Sequence, residues 1–333
     1  MVQVTPALRL RPFEMTDAET WDAFVERSLN GTFMQTRRFL GYHPPNRFRD
    51  RSLVLLDEGD RWLAVFPAAE VERDGHRLLH SHPGPSCGGL VIAPDTTPAQ
   101  LDELVRIVVA HGRDAGFHGI RLRSVEKVFC RRGCDELDVA YFGAGFVTEG
   151  RELSSALRLD GPSRDELLAR WTEMGRRNVR KAERCGIDVR VSDDFAAFWQ
   201  LLGATLAARH DTHPTHTLDE ILLLRERLGD RIQFVAGYLE GRLISGTVLF
   251  LLNDIAAHTM YMAQDYEYQQ FRSLNLVLLR AGELCRDRGL HWLNYGISSE
   301  PGTRGLELNH GLFAFKRSCG GEGVVRDSLY LSL

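Results

Sequence analysis

The sequence predicts an α/β (α+β) protein of two similar halves in tandem. Three observations carry this: the length, a set of helix-capping boxes, and two hairpin signatures that recur at corresponding places. At 333 residues the chain is long for one domain and ample for two. Hydrophobic content of 44% and charged content of 26% match ordinary globular proteins and exclude a disordered or fibrous chain.

Four Ser or Thr residues stand three positions before a Glu or Gln: Thr16 with Glu19, Thr97 with Gln100, Ser163 with Glu166 and Thr217 with Glu220. In that spacing each side chain satisfies a backbone donor of the other residue, so a helix is expected after each. After Thr97, Leu101, Leu104, Val105 and Val108 share one face, Pro98 opens the helix and Gly116 stops it. "RSLVLLDEGDRWLAVFPAAEV" and "RIQFVAGYLEGRLISGTVLFLL" each set two apolar runs about a short turn at Gly59 or Gly241, the pattern of a β-hairpin. Helix ends at Gly116 and Gly289 are each followed by a short strand, Gly116 preceding the run to Arg123 and Gly289 the run to Gly296. Corresponding landmarks lie roughly 170 to 180 residues apart, as expected of an internal duplication; two unrelated α/β halves are the alternative. Either way the boundary falls near residues 159–166, giving domains 1–160 and 161–333.

No apolar run is long enough to span a bilayer, and "MVQVTPALRLRPFEM" lacks a signal-peptide core, so a cytoplasmic protein is expected. Six scattered cysteines fit free thiols in a reducing compartment. A net charge of −4 argues against coating DNA or an anionic membrane, and neither is expected as a partner.

Against that acidic background one segment is basic. "WTEMGRRNVRKAERCGIDV" places Arg176, Arg180 and Arg184 at i, i+4 spacing, with Arg177 and Lys181 in the adjacent row. Clustered guanidinium groups suit bidentate contact with phosphate or RNA; a solvated helix face is the alternative. "RHDTHPTHTLDE" holds His210, His213 and His216 beside Asp211, but Pro214 interrupts the helix that would make them converge, so no metal site is expected. Cys87, in a Pro- and Gly-rich turn, reads as structural. At "QDYEYQQFRSLNLVLLRAG" a helix begins near Arg272 or Ser273, and its unpaired backbone donors can hold a pyrophosphate or an oxyanion. "GLFAFKRSCGG" puts Lys316 after Phe313 and Phe315; as a strand, the phenylalanines face one side and the lysine the other.

Taken together, "RRNVRKAERCGIDV", "SLNLVLLRAGELCRDRGLHWLNYG" and "GLFAFKRSCGG" resemble the FemAB-like branch of the GNAT acyltransferase superfamily, also described as a BioF2-like acetyltransferase domain. The resemblance is strongest over residues 163–322. It implies tandem GNAT-like domains, each a mixed, mostly antiparallel sheet flanked by helices. It also implies an N-acyltransferase that moves an acyl or aminoacyl group to a small-molecule amine. The donor would be acyl-CoA or aminoacyl-tRNA, used as a co-substrate, with no tightly bound cofactor. Arg176, Arg177, Arg180 and Lys181 would hold substrate phosphate, and Arg272 and Ser273 the donor. Lys316 would serve the transfer site, and His258 or Tyr261 would move the proton. Where the family carries glycines at its pyrophosphate turn, this chain has Gln270-Phe271-Arg272-Ser273-Leu274-Asn275. A non-catalytic phosphate- or RNA-binding module on the same fold is the competing expectation.

Overall fold

The computed structural model describes residues 8–44, 46–161, 163–210, 213–300 and 302–333; the side chains of residues 208–210 are outside the description. The chain forms two compact units. One comprises Met1–Glu152, Pro301–Leu306 and Val325–Leu333, the other Leu153–Glu300 and Glu307–Val324. The changeover therefore lies at residues 152 and 153, inside the strand Val147–Arg158, and the chain's last nine residues return to the first unit.

In the first unit an antiparallel sheet runs in the order Arg9–Pro12, Leu53–Leu56, Trp62–Phe66, Val91–Ile92. Its apolar face closes on the helix Ala18–Arg27 through Trp21, Phe24 and Val25, all essentially without exposure. The expected hairpin is present, and Asp60 takes the left-handed conformation in its turn. A second set of strands places the end of Glu322–Ser332 beside Gly119–Arg123, then His76–Ser81 and Ala69–Arg73. The helix Pro98–Asp114 covers it, capped by Thr97 and Gln100 as the sequence predicts.

The second unit carries strands in the order Asp188–Val191, Ile232–Leu239, Arg242–Leu251, Ala256–Gln264, Trp292–Ile297, then the end of Val147–Arg158. All pairs are antiparallel except Ala256–Gln264 with Trp292–Ile297. Glu240 and Gly241 both have positive φ, the backbone a tight two-residue hairpin requires. The helices Arg164–Ala169, Glu173–Arg184 and Ser273–Asp287 bury one face of the sheet around Leu157, Val235, Leu249, Leu293 and Val277. Phe195 and Phe198 of the helix Phe195–His210 pack on Phe234 of the opposite face.

Two local expectations are corrected. The first helix starts at Ala18 rather than after Thr16, because Glu14 and Asp17 form the capping box and Thr16 lies within a 3-10 turn, Met15–Asp17. Arg11, bonded to both Asp17 oxygens at 2.6 and 2.8 Å, holds that turn in place. The segment around Lys316 is a helix, His310–Ser318, and not a strand: Asn309 caps it by accepting the backbone N–H of Leu312 at 2.9 Å. Asn309 thus supplies the start signal that the aromatic alternation obscured.

Candidate functional site

The parallel strands Ala256–Gln264 and Trp292–Ile297 are registered over three residue pairs only, ending at His258 opposite Asn294. Beyond that point the first strand continues six residues alongside Arg242–Leu251 while the second turns at Gly296, whose φ is 75°. A parallel pair that separates leaves backbone donors and acceptors facing the gap, where an extended ligand can bond.

A polar cluster occupies the point of separation. Asn294, fully buried in an otherwise apolar strand, donates from Nδ2 to Ser154 Oγ at 2.9 Å. Its Oδ1 accepts the Gly296 N–H at 2.7 Å and lies 2.9 Å from His258 Nδ1. With Oδ1 as acceptor, Nδ1 carries the imidazole proton, and in the neutral ring the lone pair sits on Nε2. Such an arrangement fixes the ring and its tautomer. Lys316, 2% exposed, reaches the same strand end: its Nζ donates to Gly296 O at 2.9 Å and to Ile297 O. The ammonium therefore braces the two carbonyls that follow Tyr295. Tyr295 in turn donates to Cys319 O at 3.0 Å, tying the strand to the end of the Lys316 helix.

On a regular strand His258 and Tyr261 face opposite sides, as the sequence implies. The pairing shows otherwise, since His258 opposes Phe250, Thr259 opposes Leu249 and Tyr261 opposes Val248. Met260 is the extra residue of a bulge, and Phe250 and Val248 are two apart, so His258 and Tyr261 lie on one face. The Tyr261 hydroxyl is nevertheless engaged. It accepts the His216 backbone N–H at 3.0 Å and lies 2.6 Å from His216 Nδ1, and burial pushes its pKa up to about 12. The pair anchors the segment before the helix Leu218–Leu228, capped by Thr217. Of the histidine run, His216 is thus a buried strut and His213 is exposed, while Asp211 and the His210 side chain lie outside the described residues. Among the described residues no group of His, Cys, Asp and Glu could hold a metal ion.

The long helix Ser273–Asp287 starts where the sequence predicts. Arg272, at its N-cap, adopts the left-handed conformation (φ 60°, ψ 28°) and provides no side-chain cap. That conformation favours glycine, and an arginine holds it here at a cost of about 1 kcal/mol. The backbone turn is therefore kept without the glycine. Ser273 and Asn275 in the first turn are buried, and Asn275 Nδ2 lies 3.4 Å from Cys319 Sγ, beside the Lys316 helix.

The basic residues do form one helix, Glu173–Arg184. Arg176 and Arg180 both bind Glu173, at 3.0 and 2.8 Å, and Arg176 also donates to Trp171 O at 2.7 Å. These contacts hold the Glu173 carboxyl below its usual range. Arg177, Lys181 and Arg184 are exposed and, among the described residues, have no carboxylate partner. Thr172 N donates to Ser318 O at 3.2 Å, and a Cβ on Gly175 would come 2.1 Å from that oxygen. Close packing thus joins the start of the basic helix to the end of the Lys316 helix.

A cleft of about 510 Å³ lies in the first unit among Phe13, Asp50, Arg51, Arg77 and His111, and none of the residues nominated above lines it. Its arginines are committed to Glu70, at 2.9 Å from Arg51 and 3.0 Å from Arg77. Sequence reasoning missed Asn294 and Ser154, although an asparagine inside the apolar run "HWLNYG" is itself a signal of a buried polar contact.

A family model described as an acetyltransferase (GNAT) domain matches residues 173–317. Comparison with curated proteins returned no match. Among solved structures the chain is similar to FemX, at 15% identity over 98% of this chain and 97% of that one, with a TM-score of 0.73. It is also similar to L-PGS from Bacillus licheniformis (13% identity, 94% and 91% covered, TM-score 0.58). A tandem GNAT protein from the clavulanic acid biosynthesis pathway covers 98% of both chains at 13% identity and a TM-score of 0.54. Residues 173–317 thus match a GNAT acetyltransferase domain, and the likeness to FemX and to the tandem GNAT protein shows that the chain has a tandem GNAT fold.

Proposed function

We propose that the protein transfers an acyl or aminoacyl group from a phosphate-bearing activated donor, acyl-CoA or aminoacyl-tRNA, to the amine of a small-molecule acceptor. The observation that carries this reading is the separation of the parallel strands immediately after His258 and Asn294. The donor's acyl arm bonds to the strand edge in the gap. The uncapped first turn at Ser273, with the Arg272 side chain, binds donor phosphate. Arg177 and Lys181 extend the cationic surface to further phosphates, while Arg176 and Arg180 hold the helix in place through Glu173.

Either donor is an ester or thioester, so attack by a free amine needs no covalent enzyme intermediate. Nε2 of His258 takes the proton of the attacking amine, its ring held by Asn294. Backbone N–H groups at the strand edge and at Ser273 stabilise the oxyanion. Lys316 acts through Gly296 and Ile297 by fixing the strand end, a positioning role. Tyr261 has its hydroxyl engaged by His216 and supports the fold beneath His258.

Thermal unfolding with acetyl-CoA, and separately with charged and uncharged tRNA, tests the donor, because a ligand bound only by the native state raises the midpoint. A rise with acetyl-CoA alone assigns acyl-CoA, and a rise with charged tRNA alone assigns aminoacyl transfer. No rise with any of them, together with no transfer to an amine panel, overturns the proposal in favour of a binding module.

A further inference from the structure

Two cysteines of the first unit stand in unusually close contact. Cys130 and Cys134 follow a 3-10 turn, Lys127–Phe129, and Cys134 is the N-cap of the helix Asp135–Gly143. Their sulfurs are 2.8 Å apart, well inside the usual separation of unbonded sulfurs, and closing to a bond of about 2.05 Å requires a shift of less than an ångström. Lys127 stands over the pair: its Nζ donates to Cys134 O at 3.1 Å, lies 3.7 Å from Cys134 Sγ, and binds Asp138 at 2.8 Å and Asp135 at 3.2 Å. Cys134 also lines a cavity of about 10 Å³ with Asn30, Lys127, Asp138 and Tyr141, room for about one water-sized molecule.

We infer that Cys130 and Cys134 form a redox-active dithiol that a hydroperoxide oxidises to an intramolecular disulfide. The two sulfurs are inequivalent. The Cys130 S–H, with the Lys127 ammonium, favours the thiolate of Cys134 and lowers its pKa, whereas the Cys134 thiolate and burial push the Cys130 thiol up. A helix N-terminus acts in the same direction at Cys134. Buried Cys87, Cys285 and Cys319 differ: burial pushes them up to about 11, 12 and 12. They are inert by comparison.

The chemistry balances with one hydroperoxide. Cys134 thiolate attacks the peroxide oxygen, the O–O bond breaks, and a sulfenic acid forms as water or alcohol leaves. Cys130 sulfur then attacks Cys134 sulfur, the S–S bond forms and water departs with the thiol proton. Two thiols have lost two electrons and one peroxide has gained them. A thiol reductant reverses the step by exchange.

The test uses the full chain, reduced and freed of reductant, with about one equivalent of hydrogen peroxide. It is then denatured, alkylated with iodoacetamide and digested with trypsin. Because Arg131 and Arg132 lie between the two cysteines, a disulfide leaves two tryptic peptides covalently joined. The expected result is loss of two alkylation sites, that joined pair, and its release by dithiothreitol. In Cys130→Ser the reaction stops at a Cys134 sulfenic acid that dimedone traps, and in Lys127→Met oxidation of the pair slows about tenfold. Alkylation of Cys130 and Cys134 as separate peptides after peroxide, or prior oxidation of the half-buried Cys185, overturns the inference.

Discussion

Replacing Lys316 by methionine keeps the length of a buried side chain and removes its ammonium. In the native protein that ammonium donates to two carbonyls, Gly296 O and Ile297 O, with the residue 2% exposed. Hydrogen bonds from a charged group contribute about 1.5–3 kcal/mol each, so the gross loss is about 3–6 kcal/mol. Removing a buried charge returns part of this, since its desolvation cost disappears as well. A net loss of about 2 kcal/mol or more is expected. With a urea slope of about 3 kcal/mol/M this lowers the unfolding midpoint by about 0.7 M or more. Because the lost contacts hold the end of the strand that carries Asn294, turnover should fall with donor affinity reduced alongside it. Equilibrium urea unfolding and steady-state kinetics on the same preparation read both. An unchanged midpoint would refute the bracing role. Lost turnover at full stability and full donor affinity would make the ammonium a direct participant.

Three further outcomes follow from the same contacts. Gly175→Val places a branched side chain against Ser318 O, where even a Cβ would sit 2.1 Å away, and should cost about 1–3 kcal/mol by overpacking, read as a lower urea midpoint. Tyr261→Phe leaves the buried His216 N–H and ring without their hydroxyl partner and should cost about 1–3 kcal/mol, with amide exchange accelerated at residues 215–218. Glu70 should govern part of the acid limb. Arg77 and Arg51 hold its pKa at about 2, below the ordinary 4.5, so its stabilisation is complete above about pH 4.5 and is lost as pH falls toward 2. Glu70→Gln should therefore lose stability at pH 7 and show a flatter decline between pH 4.5 and 2 in a series of melts.

Local signals in the sequence proved reliable where one residue type had one physical use. Thr97, Ser163 and Thr217 each cap a helix as their Glu or Gln partners imply, and Gly289 and Gly116 turn with positive φ after the helices they end. Thr16 fails because Glu14 and Asp17 offer the same cap two residues earlier, with Arg11 holding Asp17 in place. The basic helix was legible, but the division of labour within it was not. Glu173, three and seven residues before Arg176 and Arg180, takes those two and leaves Arg177 and Lys181 exposed.

The site was harder to read because it depends on pairing between distant segments. No local pattern announces the bulge at Met260, which brings His258 and Tyr261 to one face. Nor does any local pattern show that Asn294 meets His258 at the last registered pair of two parallel strands. Lys316 was nominated from a family resemblance and His258 from its place on the strand before the helix; the asparagine and serine beside His258 required the fold.

The most direct test of the acyl-transfer reading is a transfer assay with labelled donor on wild type and His258→Gln, with donor binding followed in parallel by thermal shift. The account predicts that the variant keeps its donor-induced shift and loses about 10²- to 10⁴-fold in kcat, the usual contribution of a positioned general base. A variant that transfers at the wild-type rate would contradict it.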